Sequence, residues 1–260
     1  MDRLFNFSKR NLKESLRDPI IYVFCLAFPV VMLVLFQIIG KYTQGSTPMF
    51  ELQSLLPAII TFSYAFVMLT LSLLVSKDRQ TFFLKRLYSS PMKCYDFVLG
   101  YALVGIVIGV IQTVVCIIFG FILAVIDKIA FISFGNLLLL VVSQLPMLFI
   151  NVFAGILIGS IFNDKSAPGV SSIFISVAGV LGGCWMPLES MGGFERFCRC
   201  LPFYPSVYIG RVVTGAKNFF GVTYTFNEIA YLGLLPICIW LLLSIVLSFV
   251  VFKNNMVSDK

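Results

Sequence analysis

The sequence predicts an all-α integral membrane protein with six transmembrane helices, an N-terminal amphipathic interfacial helix and short re-entrant helices between spans five and six. Three observations predict this. Of 260 residues, 59% are hydrophobic and only 12% charged, about half the charged share of a soluble globular domain. Several uncharged runs exceed the roughly 18 residues that mark a spanning helix, which excludes a soluble protein with a large core. The net charge of +7 gathers beside those runs, as topology signals and headgroup contacts do, and argues against nucleic acid as a partner. Residues 1–260 read as a single transmembrane domain.

Taken in order, residues 3–18 (RLFNFSKRNLKESLRD) form an amphipathic helix. At 100° per residue Leu4, Phe5, Leu12 and Leu16 share one side, and Lys9, Arg10, Lys13 and Arg17 the other. A helix so charged lies flat in the headgroup layer, and its apolar stripe argues against a disordered tail. Asp18-Pro19 ends it. The first apolar run is full spanning length with no small-residue cleavage site after it, so no cleavable signal peptide is expected. The spans follow at about 20–40, 55–75, within 97–126, within 129–163, within 166–186, and about 229–252. The third and fourth exceed the roughly 20 residues a bilayer needs, implying tilt, a kink near Pro146 or extension beyond the membrane.

The longest basic interruption is residues 76–96, SKDRQTFFLKRLYSSPMKCYD, with Lys77, Arg79, Lys85, Arg86 and Lys93 against two Asp. Flanked by spanning runs, it sits in water at a membrane face. With both termini inside, the cytoplasmic basic residues are Arg3, Lys9, Arg10, Lys13, Arg17, these five, Lys165, Lys253 and Lys260; the outer ones are Lys41, Lys128, Arg196, Arg199, Arg211 and Lys217. That asymmetry places both termini in the cytoplasm. Phe82, Phe83, Leu84 and Leu87 offer an apolar anchor within a basic rim, which favours docking on a protein partner over lipid binding alone.

The extracellular segment 187–228 is too apolar for a wet loop, and Pro202 and Pro205 break it into short helices that dip into the bilayer from outside. Glu195, Arg196, Arg199 and Arg211 then lie near the outer interface, either as functional charges or as headgroup anchors. Cys184 pairs with Cys198 or Cys200 if the exterior is oxidising. With no His in the chain, these thiols do not make a metal site.

No catalytic residues are expected. Gly210, Gly215, Ala216, Lys217 and Asn218 approach a phosphate-loop pattern, but Ala216 displaces the lysine and Asn218 replaces the hydroxyl. No acidic or basic side chain lies deep in a span, which argues against an ion-coupled carrier; the energy for transport must come from a partner. Gly105 with Gly109, Gly155 with Gly159, and Gly179 with Gly183 make small-xxx-small pairs, read either as close helix contacts or as ordinary membrane-helix glycine.

Three regions resemble the permease subunit of a type-2 class ABC transporter, the class of drug, polysaccharide and lipid exporters. They are the basic helix ending Arg17-Asp18-Pro19; Lys77-Asp78-Arg79 with Thr81, Leu84, Arg86-Leu87 and Ser90-Pro91; and Gly182-Gly183 through Trp185-Met186-Pro187-Leu188-Glu189-Ser190-Met191, Leu201-Pro202, Tyr204-Pro205, Arg211 and Gly215. Gln80 stands where the family usually has Gly, and Gly192-Gly193 where Pro often follows. The resemblance implies a coupling helix in residues 76–96 (Lys77, Asp78, Arg79, Phe82, Phe83, Leu84, Lys85, Arg86, Leu87, Ser90, Pro91) seated on a separate ATP-binding subunit that holds ATP and Mg. It also implies a second permease copy or a related permease, a path lined by the first, second and fifth spans, and outer re-entrant residues Trp185, Pro187, Glu189, Glu195, Arg196, Arg199, Pro202, Tyr204, Pro205 and Arg211. The expected function is efflux of an amphipathic or hydrophobic substrate (drug, antimicrobial peptide or lipid-like) across a bacterial cell membrane, with lipids as neighbours. A peptide-sensing or immunity subunit signalling through the same ATPase is the alternative; a membrane-embedded enzyme lacks the residues it needs.

Overall fold

The computed structural model describes residues 2–42, 48–81, 84 and 92–258, and the described residues are helical apart from short connections and one isolated bridge between Lys217 and Thr223. Helix α1 spans Asp2–Ser15. A short turn at Pro19–Ile21 leads into α2, Tyr22–Tyr42, which opens with a π-helical stretch at Tyr22–Ala27. Then come α3 (Leu52–Gln80), α4 (Cys94–Asp127), α5 (Phe134–Ile161) and α6 (Ala167–Leu181). The short α7 (Gly193–Arg199) and α8 (Phe203–Thr214) precede α9 (Glu228–Ser258). Among the described residues, α2, α3, α4, α5 and α9 are long and apolar enough to cross a membrane. Helix α6 has 15 residues, about 22 Å at 1.5 Å per residue, shorter than the roughly 30 Å hydrocarbon layer.

Everything is arranged around α3. Each residue from Ser54 to Ser72 is buried, and α2, α4, α5, α6 and α8 all contact this helix. The family expectation that the second span lines a path is therefore corrected: α3 is enclosed by its own chain. A helix apolar on every side can be covered by protein or by lipid, and here the small residues decide. A Cβ on Gly155 would lie 2.6 Å from the Met68 carbonyl oxygen, and one on Gly159 would lie 2.7 Å from that of Ser72. This glycine pair lets α5 touch the backbone of α3. Polar pins tie α3 to α5, α4 and α6. Thr61 Oγ1 donates to Gln144 Oε1 at 2.6 Å, Tyr64 OH and Thr113 Oγ1 lie 2.8 Å apart, and Ser72 and Ser171 hydroxyls meet at 2.8 Å. The last pin places the start of α6 beside Ser72, while Cys184, just past its end, donates to the Ala58 carbonyl at 3.4 Å.

One further expectation is corrected, the break at Pro205, and two are placed more closely. The inward face of α1 carries Phe7, Ser8, Asn11 and Ser15, all buried, whereas Phe5 is 69% exposed; α1 packs against α4, so protein contacts set its rotation. Helix α5 continues through Pro146. Pro205 does not break the outer segment either: it is the third residue of α8, in the first turn, whose N–H groups have no intrahelical acceptor.

Candidate functional site

Two polar clusters occupy opposite ends of the bundle. The first surrounds the end of α3, where the basic segment begins. Phe7 stands edge-on to Phe97 (5.4 Å) and Tyr101 (5.0 Å) above Gly100, where a Cβ would lie 2.5 Å from its ring. That contact anchors α1 and presents its Arg10–Glu14 pair, 3.0 Å apart and one turn from each other, to α3. Lys77 Nζ reaches Glu14 Oε1 at 3.1 Å, and Arg10 Nη2 lies 3.7 Å from Asp78 Oδ1. Asp78 is 2% exposed and accepts a 2.6 Å hydrogen bond from the Tyr101 hydroxyl on α4. Arg79 donates to the Ser160 carbonyl at the end of α5, which also takes Asn255 Nδ2 of α9 at 2.6 Å. Phe97 stacks on Phe252 of α9 at 6.0 Å. Both terminal helices thus meet at this end.

Three consecutive charged residues, turning 100° apiece, therefore hold three different neighbours. Lys77, Asp78 and Arg79 were expected to face a partner; the structure turns Asp78 and Arg79 inward, leaves Lys77 exposed beside Glu14, and makes the three a clasp behind the basic segment. Residues 76–80 are the last turn of α3. Leu84 is likewise corrected as a partner anchor, since it is fully buried in this chain's own core. Phe82, Phe83, Lys85, Arg86, Leu87, Ser90 and Pro91 lie outside the described residues. Helix α4 resumes at Cys94, with Asp96 Oδ2 accepting from the Lys93 amide at 2.9 Å. The sequence contained one signal for this clasp, the Arg10–Glu14 spacing. Tyr101, Ser160 and Asn255 gave none.

The other end is built on Arg211. The residue is 3% exposed, and its guanidinium donates to the Gly183 carbonyl at 2.9 Å, the Ser54 carbonyl at 3.4 Å and Tyr224 OH at 3.4 Å. Tyr224 OH in turn donates to Glu189, relaying a buried cation to a carboxylate. Burial, with Glu189 adding to it and Arg211 opposing it, pushes the Tyr224 phenol above the usual tyrosine range. Arg211 is thus a buried tie between α8, the start of α3 and the turn after α6, rather than a headgroup anchor. Glu195 is also buried, accepting from Arg199 Nη2 at 2.8 Å and from Tyr204 OH at 3.0 Å; Arg196 is exposed. Trp185 sits over Gly179, stacked with Phe36 at 5.7 Å and edge-on to Phe62 at 4.7 Å. Pro187 begins the turn that carries Glu189, and Pro202 caps α8. Gly192 adopts φ +53°, a conformation closed to the proline often found near here in the family.

The expected disulfide is not formed: Cys184, Cys198 and Cys200 are free thiols. Cys184 is buried against Ala58, Cys198 is fully buried, and Cys200 is exposed and directed at the Arg196 carbonyl.

Residues 41–252 match the family model described as ABC-2 family transporter protein. This chain belongs to the ABC-2 family. The matched range takes in both the α3 clasp and the whole Arg211 region and omits α1. None of the curated proteins compared matches the chain. Membership makes this ABC-2 protein a multi-pass membrane permease rather than an ATPase, and implies an ATP-binding partner subunit.

Proposed function

We propose that this chain is the membrane-spanning subunit of an ATP-driven exporter that moves an amphipathic or hydrophobic compound out of the cytoplasm or inner leaflet. It works with a separate ATP-binding subunit that holds ATP and Mg, and with a second copy of itself or a related permease. The observation that carries this reading is the path of α3. One enclosed helix runs from the Arg211 tie to the Lys77–Arg79 clasp, pinned to every neighbour, and ends where residues 81–93 begin. A partner pushing on that segment displaces a rod already bonded to the whole bundle, not a single exposed hairpin.

On this reading Phe82, Phe83, Arg86 and Leu87 make the docking surface, and Lys77, Asp78 and Arg79 fix its direction. Helix α6 serves as the remaining crossing: it starts at the level of Ser72 and ends at that of Ala58, and a sixth crossing returns both termini to the cytoplasmic side. Helices α7 and α8 are the re-entrant elements. Buried backbone of that kind requires internal partners, and the contacts of Arg211, Glu195 and Ser206 supply them.

The test is ATPase activity of the chain co-purified with its ATP-binding subunit, for wild type and for Arg86→Ala/Leu87→Ala. Expected are intact co-insertion and a loss of substrate-stimulated hydrolysis in the double variant. If no ATPase co-purifies and the variant matches wild type, the exporter reading fails. Transport into proteoliposomes separates export from peptide sensing, because a sensing subunit stimulates hydrolysis without moving the compound.

A further inference from the structure

Helix α1 has more than its bundle-facing side. Phe7, Asn11 and Ser15 are buried. At 100° per residue, Phe5 and Leu16 fall about 130° round from that face, and Lys9, Lys13 and Arg17 fall next to them. Phe5 and Leu16 are exposed, and the Tyr22 hydroxyl donates to the Leu16 carbonyl at 2.7 Å. That bond sets the apolar flank of α1 beside Tyr22 and Val23, themselves exposed at the start of the spanning helix α2. The flank therefore continues a lipid-facing surface.

The adjoining face is a groove of about 540 Å³ lined by Asn6, Lys9, Arg10, Lys13, Glu14 and Arg17. Lys9, Lys13 and Arg17 are spaced four apart, and the Leu16 amide still donates to the Leu12 carbonyl at 2.8 Å, so the helical row runs on to Arg17. Like charges at that spacing repel and weaken the helix. Glu14 is the carboxylate of the groove, and it is taken by Arg10 and Lys77 at 3.0 and 3.1 Å. Among the described residues, no carboxylate pairs with Lys9, Lys13 or Arg17. An anion seated along the row removes the repulsion, and the apolar flank beside it selects an amphiphilic one. We propose that α1 docks an anionic phospholipid, with the phosphate on Lys9, Lys13 and Arg17 and an acyl chain along Phe5 and Leu16. A zwitterionic lipid fits this face poorly, because its cationic end meets the same basic row and finds Glu14 already paired. The family match begins at residue 41, so the assignment rests on α1 alone and stands independently of the export reading.

The test uses full-length chain in phosphatidylcholine nanodiscs that contain brominated phosphatidylglycerol or brominated phosphatidylcholine at equal mole fraction. Bromine quenches tryptophan on contact, so Phe5→Trp reports the lipid that touches α1. The signal of Trp185 and Trp240 is subtracted with chain that lacks this change. Expected is stronger quenching by phosphatidylglycerol, equivalent to a preference of about fivefold or more. Lys9→Gln/Lys13→Gln brings the preference to within about twofold, because the row loses two of its cations. Lys165→Gln/Lys253→Gln removes the same charge from exposed positions at the same end of the bundle and leaves the preference unchanged. Equal quenching by the two lipids, a preference that survives in Lys9→Gln/Lys13→Gln, or an equal loss in both paired variants overturns the assignment. Equal quenching is also what a groove reserved for a soluble acidic partner gives. If Phe5→Trp does not fold, Leu16→Trp on the same flank provides the reading.

Discussion

Replacing Gly155 or Gly159 by alanine tests the α3–α5 seam most directly. The added methyl meets backbone in both cases: the Met68 carbonyl oxygen at 2.6 Å for Gly155 and the Ser72 carbonyl oxygen at 2.7 Å for Gly159. An ordinary carbon–oxygen approach is about 3.3 Å, so the helices must part by about 0.6–0.7 Å. A gap of that size forfeits roughly a quarter to a half of the dispersion energy along the contact, and overpacking of this kind costs about 1–3 kcal/mol. Alanine returns about 0.5–1 kcal/mol of helix propensity. Each single variant should therefore lose about 1–2 kcal/mol net, a fall in melting temperature of roughly 2–8 °C. The double variant should lose less than the sum, because one displacement of α5 relieves both clashes. Gly169→Ala, where a Cβ meets nothing within 4 Å, is the control and should not fall. Melting followed by size-exclusion of heated, detergent-solubilised protein reads all four. Wild-type stability in both single variants, or full additivity in the double, would refute the argument that backbone contact holds this seam.

Other outcomes follow from the same geometry. Arg211→Met should destabilise the protein by about 3 kcal/mol or more, since it strands the Ser54 and Gly183 carbonyls; unchanged melting would remove Arg211 as the tie. Tyr224 is held neutral in the fold, whereas the unfolded phenol ionises near pH 10. Its contribution is therefore complete below about pH 10 and lost as pH rises toward its elevated folded value. Tyr224→Phe should be less stable than wild type at pH 7 but should show a smaller further loss between pH 9 and 11, read by melting in detergent. In single-cysteine variants, a membrane-impermeant maleimide should label Cys200 readily and leave Cys184 and Cys198 unlabelled until denaturation. Labelling of Cys184 in the native protein would mean that the α3–α6 contact at Ala58 opens.

The sequence by itself determined the all-helical membrane class, the five long spans and the family. Those depend on composition, run length and local motifs, all written along the chain. It located the break at Asp18-Pro19, and the boundaries of the long helices fall within a few residues of the hydropathy runs. It did not determine which way each helix faces. In water, burial follows hydrophobicity. In a bilayer, lipid and protein are equally apolar, so the enclosed α3 and the largely exposed α9 look alike by hydropathy. What distinguishes them is where Gly155, Gly159, Thr61 and Ser72 find partners, and those partners lie 83–99 positions away or on another backbone. For the same reason Lys77, Asp78 and Arg79 read as a solvent-facing run. Lys77 does stay exposed, beside Glu14, but the positions of Tyr101 and Ser160 turn Asp78 and Arg79 inward, because charged side chains at a helix end take the nearest opposite charge or carbonyl the tertiary structure offers.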